Sequence, residues 1–179
     1  MQEIEVKILE INKDVICSKL EALGATKTFE GEMEIYYYDF SDLSLDRQGK
    51  MLRLRSKGKK AELTFKEKIS KVKVKQANET EVIVDNIKKM QRILEKIPLK
   101  IIKKSFKKRI SYSLEKVHFD LDFYPNIPPL LEIEAPNEKI LKEYVEKLGF
   151  TMKDTKPWSG KDVMKYYEKK YTKGSTQTL

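Results

Sequence analysis

Charge and aliphatic bulk alternate residue by residue along almost every extended stretch of this chain, and that period of two restricts the fold before anything else does. The stretch EIEVK (3–7) sets Glu3, Glu5 and Lys7 on one side of a strand and Ile4 and Val6 on the other, because successive strand side chains point to opposite faces. The same parity joins Arg53 with Arg55, Glu62 with Lys66 and Lys68, and Glu79 with Glu81. It also joins Lys107 with Arg109, Asp120 with Asp122, and Glu132 with Glu134. One such strand alone reads as half-buried with a wet face. A charged pair at i and i+2 in nearly every strand asks for another explanation.

Residue choice supplies it. Of 37 basic residues only five are arginine, yet three of those five, Arg53, Arg55 and Arg109, occupy the alternating positions. A solvated basic face drawn from this composition would be almost all lysine. Arginine's planar fork binds phosphate or carboxylate bidentately, which the lysine point charge cannot do. The paired acids of four different strands would repel if gathered without cations, and hard ions such as Mg²⁺ or Mn²⁺ take oxygen ligands and bridge to phosphate. A closed barrel encloses such a face, removes the sheet edges and permits a polar lumen.

Composition excludes several other chemistries. Cys17 is the only cysteine, so no disulfide or thiolate zinc site forms within one chain. It falls in a helical pattern and reads as core packing. His118 is the only histidine, which leaves imidazole-rich metal sites and most acid/base triads without material. The formal net charge of +9 points to an anionic partner: nucleic acid, a membrane surface or a phosphorylated small molecule. No apolar stretch approaches a membrane span, and the N-terminus carries acids where a signal peptide has its basic and apolar regions. The expectation is a cytoplasmic protein that does not engage a membrane.

Along the chain, Asn12 caps a helix carrying Val15, Ile16, Leu20 and Leu23 that stops at Gly24. Strand TKTFEGEMEIYYYDF follows, then a loop SDLSLDRQGK, then a hairpin over MLRLRSKGKKAELTFKEKI turning at 57–59. NETEVIV is a strand, Asp85 is the expected cap of a helix carrying Ile87, Met90, Leu94 and Ile97, and Pro98 ends that helix. A strand pair, LKIIKKSFKKRISYSLE and KVHFDLDFY, precedes a proline-bounded loop and the strand LEIEA. Asn137 or Glu138 opens a helix that Gly149 closes, and Trp158 and Ser159 read as staple and cap of a last helix. Glu-x-Glu strands followed by helices recur, and EALGATK echoes EKLGFTMK. The reading is one domain, 1–171, with a frayed tail over 172–179, and about three helices outside the barrel. Tyr36, Tyr37 and Tyr38 read as packing rather than base stacking, and Lys161 as a helix-surface lysine.

With EIEVK, LRLR, LTFKEK, ETE, KKR, DLD and LEIEAP in this order, the chain closely resembles the CYTH superfamily, or triphosphate tunnel metalloenzymes, from Glu3 to about Gly149. The resemblance implies an α+β fold dominated by a closed eight-stranded antiparallel barrel, with helices packed outside and a lumen that binds a triphosphate. Lys7, Arg53, Arg55, Lys66, Lys107 and Arg109 would grip phosphates. Glu3, Glu5, Asp122, Glu132 and Glu134 would hold Mg²⁺ or Mn²⁺, directly or through water. Glu79, Glu81 and Asp120 would be lumen residues, and Lys68 shares the parity without a motif match. Glu5, Lys7, Arg55 and Arg109 are the catalytic candidates.

The activity this implies is metal-dependent hydrolysis of tripolyphosphate, a nucleoside triphosphate or thiamine triphosphate, with water attacking the terminal phosphoryl group. A class IV adenylyl cyclase uses the same tunnel with the ribose 3′-hydroxyl attacking the α-phosphate. PWSGKDVMKYY lacks the Ser-Tyr signature of that branch, although Ser159 keeps a comparable position. A non-enzymatic module binding RNA or polyphosphate through lysines is the third reading, and it gives the clustered acids no use. Nucleic acid is therefore not the favoured partner, and a homodimer is left open.

Overall fold

The computed structural model describes residues 2–70 and 75–174. In chain order the elements are β1 (Gln2–Ile8), α1 (Lys13–Ala22), β2 (Thr26–Phe40), α2 (Ser44–Arg47), β3 (Lys50–Lys57), β4 (Lys60–Ser70) and β5 (Lys75–Val84). There follow α3 (Ile87–Lys96), β6 (Leu99–Leu114), β7 (Val117–Phe123), β8 (Leu130–Ala135), α4 (Glu138–Lys147), β9 (Thr155–Lys156) and α5 (Gly160–Gly174). The strands lie in the order β5-β4-β3-β2-β6-β7-β8-β1-β9, and β5 also pairs with β1. All pairings are antiparallel.

Closure happens along one edge of β1. Gln2–Glu5 pairs β5, which joins the two ends of the sheet into a ring of eight strands. From Lys7 onward the same edge takes the two-residue β9 instead, so β1 and β5 part there. The eight-stranded barrel expected from the sequence is present. The ninth strand was not legible, because two residues carry no periodicity.

The period of two decides which side of the wall each residue faces. On β1, Ile4, Val6 and Ile8 point outward into a core built with Ile16 and Leu20 of α1, Leu141, Val145 and Leu148 of α4, and the outward side chains Phe119, Leu121, Leu131 and Ile133. Burial of these aliphatic and aromatic groups, each worth roughly 1.5–3 kcal/mol, holds both helices to the barrel. A second cluster sets α3, through Ile87, Met90 and Leu94, over Tyr38, Leu54 and Ala61. Tyr36 and Tyr38 thus pack as expected, with Tyr38 fully buried, whereas Tyr37 lies opposite Arg53 on the inner face.

The helix ends follow local chemistry. The Asn12 side chain accepts from the amides of Asp14 and Val15, and that of Asn137 from Ile140. Gly24 (φ +85) and Gly149 (φ +86) terminate α1 and α4 in the left-handed conformation, which is the structural content of the EALGATK and EKLGFTMK echo. Ser159 Oγ and the Asp162 carboxylate cap one another's amides at the start of α5. Two expectations change. Asn86, not Asp85, caps α3, accepting from the Lys89 amide three residues on at 2.9 Å. The segment read as a loop contains the short helix α2, held because the buried Asp39 carboxylate accepts the amides of Phe40, Leu45 and Asp46. Helix α5 continues to Gly174, and the rest of the expected tail lies outside the described residues. No helix among the described residues is long and apolar enough to cross a membrane.

Candidate functional site

On the inner face, cross-strand register stacks the charged residues into rows. Ser111, Asp120, Glu132 and Lys7 follow one another across β6, β7, β8 and β1, and the next row begins Arg109, Asp122. Across the barrel, Arg53 lies opposite Thr64 and Thr64 opposite Glu81, while Arg55 lies opposite Glu62 and Lys66 opposite Glu79. EIEVK alternates as it does because both faces of β1 are enclosed: Glu5 and Lys7 are as buried as the aliphatic residues between them.

One wall is a dense ionic net. Lys7 Nζ donates to Glu5 Oε1 at 2.8 Å and to Glu132. Arg109 grips Asp122 with Nε at 2.6 Å and Nη2 at 2.7 Å, donates to Asp120, and comes within 3.5 Å of Glu132. Lys107 Nζ shares the same Asp122 at 2.6 Å and sits 5.4 Å from the centre of the Tyr124 ring. Ser111 Oγ donates to Asp120 at 2.6 Å. The facing wall pairs Arg55 and Lys57 with Glu62 and Lys66 with Glu79. Thr64 Oγ1 receives Arg53 at 3.1 Å and donates to Glu81 at 2.8 Å.

The cations differ in how well they are compensated. Burial opposes the charge of Lys7, but Glu132 and Glu5 outweigh it and push its pKa up. Burial likewise opposes Arg109, and Asp120 and Asp122 overcome it. Asp122 is held below the usual carboxylate range because Arg109 and Lys107 outweigh the cost of its burial. Lys107 is different: burial and the adjacent Arg109 bring it down to about 8 against the pull of Asp122 and Glu132. Arg53 comes down to about 10, through burial and the like charges of Arg55 and Arg109. Its Nη2 reaches Thr64 and lies 3.9 Å from Glu81, but its Nε is buried without a hydrogen-bond partner. A buried donor left unmade costs about 1–3 kcal/mol, more for a charged group, so this one nitrogen is a donor without an acceptor.

The structure brings Glu5, Lys7, Arg53, Arg55, Lys66, Lys107, Arg109, Asp120, Asp122, Glu132, Glu134, Glu79 and Glu81 to one lumen. The Glu3 side chain lies outside the described residues. Lys68 keeps its parity but is solvent-exposed beside a register shift in β4, so it leaves the set. Lys161 is exposed and 3.3 Å from Asp46, a surface lysine as expected. Sequence reasoning missed Thr64, Ser111 and Tyr124, and a hydroxyl or phenol among charges gives no periodic signal of its own. Burial followed by Asp122 raises the Tyr124 pKa.

The carboxylates suit a hard divalent ion in donor type and register. Glu5 and Glu134 are direct partners across β1 and β8, with Glu132 one inward position along. In this structure Lys7 and Arg109 bridge these acids, and among the described residues no three gather closely enough to hold a metal. Binding one would mean exchanging an ammonium or guanidinium contact for the ion.

The CYTH domain family model matches residues 1–167. The chain belongs to the CYTH family. Solved structures similar to this CYTH protein include the PH1012 protein of Pyrococcus horikoshii, 26% identical, with a TM-score of 0.73 over 88% of this chain and 96% of that one. A provisionally assigned adenylate cyclase of Vibrio parahaemolyticus is 20% identical, with a TM-score of 0.76 over 91% and 97%. A Hippeastrum protein, provisionally an adenylyl cyclase with a dominant triphosphatase activity, is 17% identical, with a TM-score of 0.59 over 88% and 91%. At these last two identities the likeness is one of fold. No curated protein matches the chain.

Proposed function

We propose that this CYTH protein is a metal-dependent triphosphatase that hydrolyses a triphosphate held in the barrel lumen. The observation that carries the reading is Arg53: a buried guanidinium with an unpartnered Nε, where burial and the charges of Arg55 and Arg109 outweigh the pull of Glu81 at 3.9 Å. A polyphosphate oxygen supplies both the acceptor and the negative charge. Lys7, Arg55, Lys66, Lys107 and Arg109 surround the same space, so a chain of three phosphates meets forks and point charges from several strands at once. These donors sit on strands, which fixes them before substrate arrives. Preorganised donors of this kind stabilise charge that grows on the transferring phosphoryl group without reorganising during the step.

Glu5, Asp122, Glu132 and Glu134, with Glu3, would hold Mg²⁺ or Mn²⁺, which supplies charge neutralisation on phosphate oxygens. The protein's own share is separate from that. Lys7 and Arg109, each tied to carboxylates of neighbouring strands, hold their donors aimed inward. Lys7, Lys107 and Arg109 are themselves buried, which strengthens each of their contacts. No side chain need form a covalent bond with phosphorus.

The test is a panel of tripolyphosphate, ATP and thiamine triphosphate with each metal, with the products identified. Release of orthophosphate and the diphosphate from any of them is the expected result. Cyclic AMP with pyrophosphate would reassign the chain as a cyclase. Absence of any phosphate release under both metals would leave a binding module.

A further inference from the structure

The two ends of the lumen are not alike. At one end the inward positions continue as Leu9, Tyr124 and Leu130, and the apolar face of α5 packs against them through Val163 and Tyr167, all one continuous cluster. Leu130, Val163 and Tyr167 are each almost wholly buried. At the other end the last inward row runs Ser113, His118, Glu134, Glu5. There His118 is exposed although Asp120 and Asp122, on the same face of the same strand, are partly and fully buried. Ile83, opposite Glu62 and in parity with Glu79 and Glu81, is 52% exposed at the same end.

The cations that would grip phosphates lie between these ends. On the β7, β8 and β1 side α5 packs over the inward positions, so a substituent on the triphosphate meets less side-chain bulk on leaving past His118 and Ile83. An imidazole ring and an aliphatic side chain offer a flat face and an apolar contact, not another fork for phosphate. Resting on the triphosphate reading above, we propose that His118 is a specificity residue that stacks on a planar heteroaromatic group carried by the triphosphate. The preferred substrate class is accordingly a heteroaromatic-bearing triphosphate rather than bare tripolyphosphate.

The experiment is calorimetric binding of the magnesium complexes of ATP, thiamine triphosphate and tripolyphosphate to the full chain, compared between the natural protein, His118→Ala and His118→Phe. Base stacking on one side chain is worth roughly 1–3 kcal/mol by alanine substitution, so an exposed ring predicts a loss of about five- to tenfold. His118→Ala should lose that factor for a ring-bearing ligand, ATP or thiamine triphosphate, relative to tripolyphosphate. His118→Phe, which keeps a flat face without the nitrogens, should restore most of it. Which of the two ligands shows the effect identifies the ring. An unchanged ratio in His118→Ala, or a loss that Phe does not repair, overturns the stacking role while leaving the triphosphate reading in place. Failure of all three ligands to bind the natural protein overturns both.

Discussion

Arg55 and Lys107 occupy the same lumen and differ in what their neighbours ask of them. Arg55 is held by Glu62, with Glu81 at 3.7 Å, so its fork is already aimed. On the triphosphatase reading, truncating Arg55→Ala would remove a contact to charge that grows in the transition state and should cost on the order of tenfold to a thousandfold in turnover. Glu62 keeps Lys57 at 2.9 Å, so the fold should persist, and circular dichroism checks that alongside the rate. Near-normal turnover would remove Arg55 from the site. Lys107, at about 8, is poised to lose its proton just above neutrality. Between that value and the ordinary lysine value of about 10.4 the unfolded chain holds a proton that the folded one lacks, so this group makes the free protein gain stability as pH rises through that window. An anion beside Lys107 reverses the sign locally by favouring the charged form. Triphosphate binding near pH 8.5 should therefore take up a proton, read as a dependence of the apparent binding enthalpy on buffer ionisation enthalpy. Lys107→Arg, which stays protonated, should abolish that dependence; an equal uptake in the variant would show that the proton goes elsewhere.

At the scale of elements, α1 and α4 end alike but are not equally tolerant. A Cβ at Gly24 would meet nothing within 4 Å, so Gly24→Ala should cost only the left-handed strain, about 1–2 kcal/mol. At Gly149 the same conformation applies, and a Cβ would come within 2.6 Å of Lys19 Nζ. That ammonium donates to the Leu148 carbonyl at 2.7 Å, at the negative end of the α4 dipole. Gly149→Ala should therefore lower Tm further than Gly24→Ala, by roughly 2–4 °C for each additional kcal/mol in a chain of this size. In a Lys19→Ala background the difference should shrink; equal losses in both backgrounds would show that Lys19 simply swings aside. These same elements mark what could be read in advance. Strands and their inward faces were legible because one enclosed charged face and one apolar face impose a period of two on the residues themselves. Helix caps were legible to within a residue: Asn12, Asn137 and Ser159 fit, while Asp85 lost to Asn86 because both side chains accept amides and only the local turn chooses. Helix α2 was not legible, since it depends on Asp39, a residue of the preceding strand that turns inward to collect three amides. The unpartnered Arg53 Nε and the packing of α5 against Leu130 and Tyr124 are products of three-dimensional packing, and no spacing encodes them.

For the whole molecule, the decisive quantity is how lumen acids and lumen cations share their partners. Without ligand they neutralise each other: Lys7 spans Glu5 and Glu132, and Arg109 spans Asp120 and Asp122. A bare polyphosphate entering this net would draw the cations away and leave buried carboxylates uncompensated, which is costly in a low-dielectric interior. A divalent ion arriving with the phosphates would neutralise those carboxylates in the cations' place, so on the proposed reading metal and triphosphate should each raise the other's affinity. Because anything that binds only the folded state stabilises it by RT ln(1 + [L]/Kd), a ligand at a hundred times Kd adds about 2.7 kcal/mol. For this length that is on the order of 5–10 °C in Tm. Tripolyphosphate with Mg²⁺ or Mn²⁺ should produce a shift of that size, and tripolyphosphate with a chelator a much smaller one. If Glu134 is one of the carboxylates that hold the ion, Glu134→Gln should reduce the metal-dependent part of the shift. Equal shifts with and without metal in the natural protein would mean that the acids serve only to hold the cations in place, and that the lumen binds phosphate without an ion.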